Sequence, residues 1–320
     1  MKRLDPVTFR ERVADYEAAI VACPEIAKFC SGPDWQLAAH SGLHGQSDDG
    51  EIFVFEEEGT WLVFRENAPS VFFPLESAWC FGCPIIGDPE SAVALLRRAV
   101  SKLSPGGAGF LISGVRIDGH LHAELKKQEA GALRYSEFPT TDCMIIHLSD
   151  GIDEWLARRS KKFRRTIRNL SLPEEIVIES AGDGDPETQF SRMLAVQQKT
   201  YKWRDGSDIF QSDEYRDFYR DLLGRLSEKG GVRIQFAKKD GEDVAYIFGG
   251  VSGNVYRGFQ MSYAEEMRSF GLGNILQIDN LRRMEAEGVC HYDLGMHSEY
   301  KERWADEREE YIGVFLVLSA

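Results

Sequence analysis

No run in this 320-residue sequence comes near the ~20 consecutive apolar residues that a membrane-crossing helix requires. The opening residues, MKRLDPVTFRERVADYEAAI, lack the apolar core of a secretory signal. Both absences predict a cytoplasmic protein with no membrane span. Cysteine is scarce and poorly spaced for metal: of six, Cys23, Cys30, Cys80, Cys83, Cys143 and Cys290, only Cys80 and Cys83 form a C-x-x-C. A structural zinc site takes four ligands, and no second pair stands at a suitable spacing. No metal site is expected, and the cysteines read as free thiols of a reducing compartment. Positive charge is also short, with 38 Lys and Arg against 52 Asp and Glu and a net charge of −14. That argues against non-specific nucleic-acid binding by the whole surface. No low-complexity tract or short repeat interrupts the chain.

What is present is an ordinary globular composition, 43% hydrophobic and 28% charged, over a length that suggests about two domains. The first half reads as a mixed α/β unit. A helix is predicted over 6–21 from the spacing of Phe9, Val13, Tyr16 and Ile20. A loop follows over 41–50, then a hairpin turning near Gly59, a strand over 70–76 and a helix over 89–103. A buried strand AGFLISGV, a helix over 119–130 and the strand 141–148 complete it.

The second half opens with RRSKKFRRTIR, residues 158–168, which holds seven basic residues and no acid. Trp155, Leu156, Phe163, Ile167 and Leu170 are placed to share one face of a helix there, with the charges on the other. The strand EEIVIESAG and two capped helices follow. Then come three strands, VRIQFAKK, EDVAYIFGGV and NVYRGFQMSY, joined by the tight-turn signals DG and SGN. MRSFGLGNILQ leads into a helix to residue 287, and the strand VCHYDLG, a short helical segment and the strand YIGVFLVLS end the chain. Each half thus contains strands, a helix and a further strand, an echo of a duplicated fold.

Arg268-Ser269-Phe270-Gly271-Leu272-Gly273 stands between a strand and a helix, an R-x-x-G-x-G. A helix N-terminus carries unpaired N–H groups and about half a positive charge. Glycines there allow positive φ and close approach of the backbone to a diphosphate. The dinucleotide fingerprint G-x-G-x-x-G would instead follow a parallel βαβ pattern, whereas these preceding strands are hairpin-linked.

On this motif and order of elements the chain resembles the GNAT superfamily of acyl-CoA-dependent acyltransferases. KKFRRTIRNL, KTYKW, GEDVAYIFGG, RSFGLGNIL and YDLGMHSEYKERW resemble a narrower group related to cellulose-biosynthesis acetyltransferases, whose two-domain architecture is shared with Fem-type peptidyltransferases. The resemblance implies an α/β fold with mixed sheets and two tandem GNAT-like domains. The degenerate N-terminal one would occupy 1–148 and the acyl-CoA-binding one 149–320. It implies acetyl-CoA or another acyl-CoA as co-substrate. The backbone of Arg268, Ser269, Phe270, Gly271, Leu272 and Gly273, with Asn274, would hold the diphosphate. Phe259, Gln260 and Met261 would face the thioester, where strand 255–263 parts from VCHYDLG. A tyrosine after that strand often serves the family as general acid, which points to Tyr300.

An amine acceptor must lose a proton, and Asp293 and His297 are both candidates for the base. Lys301 either holds an anionic acceptor group or is a surface charge. Tyr201, Trp203 and Arg204, with Lys202, form an aromatic and basic tip suited to an acceptor bearing sugar or phosphate. The expected acceptor is a small molecule or a cell-envelope precursor. The basic helix either meets an anion of CoA or of the acceptor, or touches tRNA, or is a solvated face. A Fem-type transferase using aminoacyl-tRNA and a non-catalytic protein of the same fold stand as alternatives; nucleic acid enters only under the first.

Overall fold

A computed structural model describes residues 1–45 and 52–320. The chain forms two compact units, Met1–Asp142 with Glu309–Ala320, and Cys143–Arg308. The expected division at residue 148 differs from this on both counts: the second unit begins at Cys143, and the last strand lies in the first unit.

In the first unit, strands β1 (Lys2–Leu4), β2 (Ile52–Glu57), β3 (Thr60–Ala68), β4 (Val71–Phe73), β5 (Ile85–Ile86), β6 (Ala108–Arg116) and β7 (Arg134–Pro139) are accompanied by six helices: α1 (Pro6–Glu11), α2 (Val13–Ala22), α3 (Lys28–Ser31), α4 (Pro33–Gly42), α5 (Pro89–Leu103) and α6 (His120–Lys126). The helix expected over 6–21 is two, broken at Arg12. The loop expected over 41–50 starts as the end of α4, and 46–51 lie outside the described residues. β2 and β3 form the expected hairpin around Gly59, at φ +80°. In the core, Phe9 meets Tyr16 with ring centroids 5.5 Å apart, and Tyr16 meets Trp61 at 5.6 Å.

The second unit holds β8 (Cys143–His147), β9 (Ile176–Ser180), β10 (Val232–Lys239), β11 (Glu242–Ser252), β12 (Val255–Tyr263), β13 (His291–Met296) and β14 (Glu307–Glu309). Their order across the sheet is β14-β8-β13-β12-β11-β10-β9. Its helices are α7 (Ile152–Ala157), α8 (Lys161–Arg168), α9 (Pro186–Gln197), α10 (Tyr201–Arg204), α11 (Asp213–Glu228), α12 (Leu272–Ala286) and α13 (Glu299–Glu302). The β10–β11 hairpin turns at Asp240 (φ +51°) and Gly241 (φ +85°), the positive-φ pair that the DG signal calls for. The helix expected to carry Trp155 to Leu170 on one face is two, broken over residues 158–160. Ser160 caps α8 by accepting from the Phe163 N–H at 3.2 Å. Trp155 on α7 and Phe163 and Ile167 on α8 still enter one apolar cluster with Trp304.

β15 (Tyr311–Leu318) pairs with β6 on one side and β7 on the other. It completes the first sheet in the order β1-β2-β3-β4-β6-β15-β7, with β5 on β3. Four of the six cysteines, Cys23, Cys30, Cys83 and Cys143, are buried.

Candidate functional site

The site is set by two strands that run parallel and then part. β12 and β13 pair only at Val255–His291, Tyr256–Tyr292 and Arg257–Asp293. Both bulge at that level. Phe259 is the extra residue where β12 faces β11 across Phe248 and Gly249, and β13 gains one against β8 between Asp293 and Met296. A bulge bends a strand and disrupts its ladder. Beyond Gly258, therefore, the two edges separate.

A cleft of about 250 Å³ opens in that gap, lined by Gly258, Phe259, Gln260, Met261, Leu294 and Tyr300, with Lys202 and Lys301 among its other walls. A second of about 370 Å³ shares Met261, Tyr300 and Lys202 with it and runs to Arg268, Gly271, Gly273 and Asn274. The path from the glycine loop to the strand gap is thus continuous.

At the loop, Gly271 is the residue before α12 and sits at φ +67°, ψ +26°, a left-handed conformation that glycine adopts without steric cost. Its carbonyl accepts from the N–H groups of Asn274 (3.0 Å) and Ile275 (3.2 Å). Among the described residues, the N–H groups of Leu272 and Gly273 donate to no backbone carbonyl outside their own helix. A Cβ on Gly273 would meet the Met261 methyl at 3.4 Å and Tyr263 at 3.8 Å, ordinary contacts on the cleft side of the helix.

Of the residues expected to hold a cofactor, Phe259, Gln260, Met261, Arg268, Gly271, Gly273 and Asn274 line these two clefts. Ser269, Phe270 and Leu272 do not. Leu272 is buried in the core, and Phe270 carries the Lys239 ammonium 5.4 Å from its ring centroid. Gln260 is held by donating to the Tyr219 hydroxyl at 3.1 Å, and Phe259 meets Phe248 edge-on at 5.0 Å.

Tyr300, on α13, lines both clefts. Its hydroxyl is buried and makes no hydrogen bond of good geometry among the described residues. Burial pushes its pKa well above the usual phenol value, so it keeps its proton. Asp293 is buried in β13 opposite Arg257. One carboxylate oxygen is paired with the Arg257 guanidinium, and the other accepts from the Gly295 N–H at 2.7 Å. Both oxygens are taken, and Asp293 lines neither cleft. His297 also stands away from them, with Nε2 2.6 Å from a Glu302 oxygen. Neither expected base therefore reaches the gap.

Lys301 does. Burial, reinforced by the Arg257 charge and opposed by Asp293, pushes its ammonium down to about 8. A Cβ on Gly295 would lie 3.5 Å from Lys301 Nζ and 3.7 Å from the Arg257 guanidinium carbon, so both cations border the same glycine. At the acceptor tip, Tyr201 lines the larger cleft, whereas Arg204 is ion-paired with Glu265 and Asp205. Half-buried Trp203 and exposed Arg204 are not among the residues lining the two clefts.

Sequence reasoning missed Arg257 as the partner of Asp293. YRG and YDL each place a charge after a tyrosine, and parallel register sets Tyr256 on Tyr292 (centroids 4.2 Å apart) and Arg257 on Asp293.

The same frame in the first unit is closed to an anion. β4 and β6 are parallel there, with α5 preceding β6, as β12 and β13 are with α12. The helix, however, begins at Asp88-Pro89. Asp88 caps it by accepting from the Ser91 N–H at 3.0 Å, and proline has no N–H to offer.

Residues 157–302 match the family described as Acetyltransferase (GNAT) domain. The second unit is a GNAT domain. No curated protein matches the chain at a significant level. Among solved structures it is similar to FemX, at TM-score 0.69 and 15% identity over 99% of this chain and 97% of that one. It is also similar to L-PGS from Bacillus licheniformis, at TM-score 0.54 and 13% identity over 94% and 90%. A tandem GNAT protein from the clavulanic acid biosynthesis pathway matches at TM-score 0.51 and 13% identity over 98% and 97%. At such identities the likeness is one of fold: two tandem GNAT-like units, the first without the glycine loop. The GNAT domain is the acyltransferase fold. Among the described residues no helix is long and apolar enough to cross a membrane.

Proposed function

We propose that the protein transfers an acyl group, in the first place acetyl, from acyl-CoA to an amine or hydroxyl of a polar acceptor, by direct attack. The carrying observation is the continuous cleft from the glycine loop to the strand gap. The diphosphate of CoA would lie on the free N–H groups of Leu272 and Gly273 beside Asn274. The pantetheine arm would enter between β12 and β13 and pair with β12 as an added strand does. A backbone N–H near Phe259 facing the thioester oxygen would stabilise the tetrahedral intermediate, an effect of about 3 kcal/mol per donor.

Lys301 would take the acceptor's proton. It borders the thioester end of the cleft, and a pKa of about 8 suits a base at neutral pH. Asp293 would act at one remove, holding Arg257 beside that amine. Tyr300, kept protonated by its burial, would give its proton to the departing thiolate. Tyr201 and Lys202 border the end of the cleft nearest α10 and would meet the acceptor, a small molecule or cell-envelope precursor. A cytoplasmic setting, where acyl-CoA is made, goes with this function.

Direct attack makes a simple demand on the protein incubated with acetyl-CoA alone: intact-mass measurement should find no acetylated enzyme, and adding a productive amine should release thiol. A stoichiometric acetyl-protein would contradict it. An aminoacyl-tRNA donor is the competing function, favoured by the cations of α8. It predicts binding that weakens steeply with salt, and indifference to acetyl-CoA.

A further inference from the structure

Helix α8 has two sides of different character. On one, Phe163 and Ile167 pack into the apolar cluster around Trp304, and Lys162, Phe163, Thr166 and Ile167 border a cleft. On the other stand Lys161, Arg164, Arg165 and Arg168, at i, i+3, i+4 and i+7. That spacing makes a single cationic stripe about 10 Å long. None of the four lines the clefts at the glycine loop, the strand gap or α8 itself. Lys161, Arg165 and Arg168 are exposed, and half-buried Arg164 donates to the Ala157 carbonyl at 2.7 Å.

The stripe is also unanswered within the protein. Among the described residues none of its four cations has an ion pair. Arg192, Arg204, Arg220, Arg233 and Arg283 of the same unit each have a carboxylate partner. Acids outnumber bases by 52 to 38 in this chain. Four neighbouring cations without one acid among them therefore depart from what the charge numbers alone would produce. Just past the helix, Leu172 is 43% exposed.

We infer that this stripe docks the protein on an anionic phospholipid surface. Charge complementarity supplies the attraction, at about fivefold in affinity for each cation near such a surface. The net charge of −14 does not cancel it. Screening confines each charge to a range of about 8–10 Å, so the bilayer meets the stripe and little of the acidic surface beyond. Composition favours lipid over RNA. The stripe offers point charges and fork donors, with no aromatic ring to stack on a base and no amide to read one. Leu172 adds an apolar contact that a bilayer rewards and a phosphate backbone does not. Because the stripe faces away from the cleft side of α8, docking leaves that side open.

The test is co-sedimentation of the full chain with vesicles of phosphatidylglycerol mixed into phosphatidylcholine, and with vesicles of phosphatidylcholine alone. The wild-type protein should pellet with the first and not the second, and added salt should release it. Lys161→Ala with Arg165→Ala and Arg168→Ala should weaken binding about 100-fold. Arg165→Lys with Arg168→Lys should keep it, because a bilayer answers charge rather than guanidinium geometry. Melting checks that the variants are folded. Equal pelleting with both vesicles, pelleting with neither, or undiminished binding by the triple variant would overturn the docking. Tighter binding to a tRNA acceptor-stem RNA than to the anionic vesicles, lost in the triple variant, would overturn it too and assign the stripe to RNA. Vesicle binding needs no acyl-CoA, so its failure leaves the acyl-transfer function standing.

Discussion

Lys301 and Asp293 show how one buried charge sets another. The guanidinium of Arg257 and the carboxylate of Asp293 are almost wholly buried, at 3% and 9% exposure. Removing one partner of such a pair costs about 3–5 kcal/mol, because the other charge stays behind. Asp293→Asn should therefore lower the unfolding free energy by about 3 kcal/mol in a denaturant titration. It should also act on Lys301. The carboxylate favours the protonated amine and Arg257 disfavours it, so losing the carboxylate lowers the amine's pKa further. If Lys301 is the base, kcat/KM rises with pH through about 8 and levels above it, since only the neutral amine accepts a proton. That limb should move to lower pH in Asp293→Asn and vanish in Lys301→Met. A rate that falls through the same range would mean that the ammonium form is the one required. Tyr300→Phe should lower kcat about 100-fold with little change in the KM for acyl-CoA, the loss expected of a general acid; unchanged turnover would remove Tyr300 from the mechanism.

Among the elements, the start of α12 carries the binding claim, and its two glycines do different things. Gly271 sits at φ +67°, so Gly271→Val should cost about 1–2 kcal/mol of stability from the backbone alone and is a poor probe of ligand binding. Gly273 is helical, and a Cβ there would make only ordinary contacts with Met261 and Tyr263 on the cleft side. Gly273→Val should leave the melting temperature of the free protein within a few degrees, since valine is no worse a helix former than glycine, and should abolish acyl-CoA binding by filling the cleft. The glycine loop was legible in the sequence because its chemistry is local. The hairpins at Asp240-Gly241 and Gly253 were legible for the same reason. The bulge at Phe259 was not, since two-against-one pairing is a property of the facing strand. The break at Arg12 and the short helix α4 were equally hidden: both keep apolar residues at helical spacing, and tertiary packing decides where each turn stops.

At the scale of the whole molecule, the domain of the last strand escaped the sequence reading. YIGVFLVLS is plainly a strand, but nothing in it says which sheet it joins. Its alternation fits any half-buried surface, and chain order favours the nearer domain. It lies instead between β6 and β7, so deleting residues 309–320 should disrupt the first unit and give an aggregating or trypsin-sensitive protein, while a second unit that remains intact would still bind acyl-CoA. The proposed acid and base were half legible. Tyr300 follows the strand as the family pattern implies, but only the lining of the cleft shows that Lys301, rather than Asp293 or His297, reaches the gap. The account as a whole depends on acyl-CoA entering the cleft between Gly273 and Lys301. Thermal or chemical unfolding of the full chain with acetyl-CoA at about 100 times the dissociation constant tests this most directly. A saturable gain of about 2.7 kcal/mol, absent in Gly273→Val, is the predicted result; no gain at millimolar acetyl-CoA, or an equal gain in Gly273→Val, would contradict it.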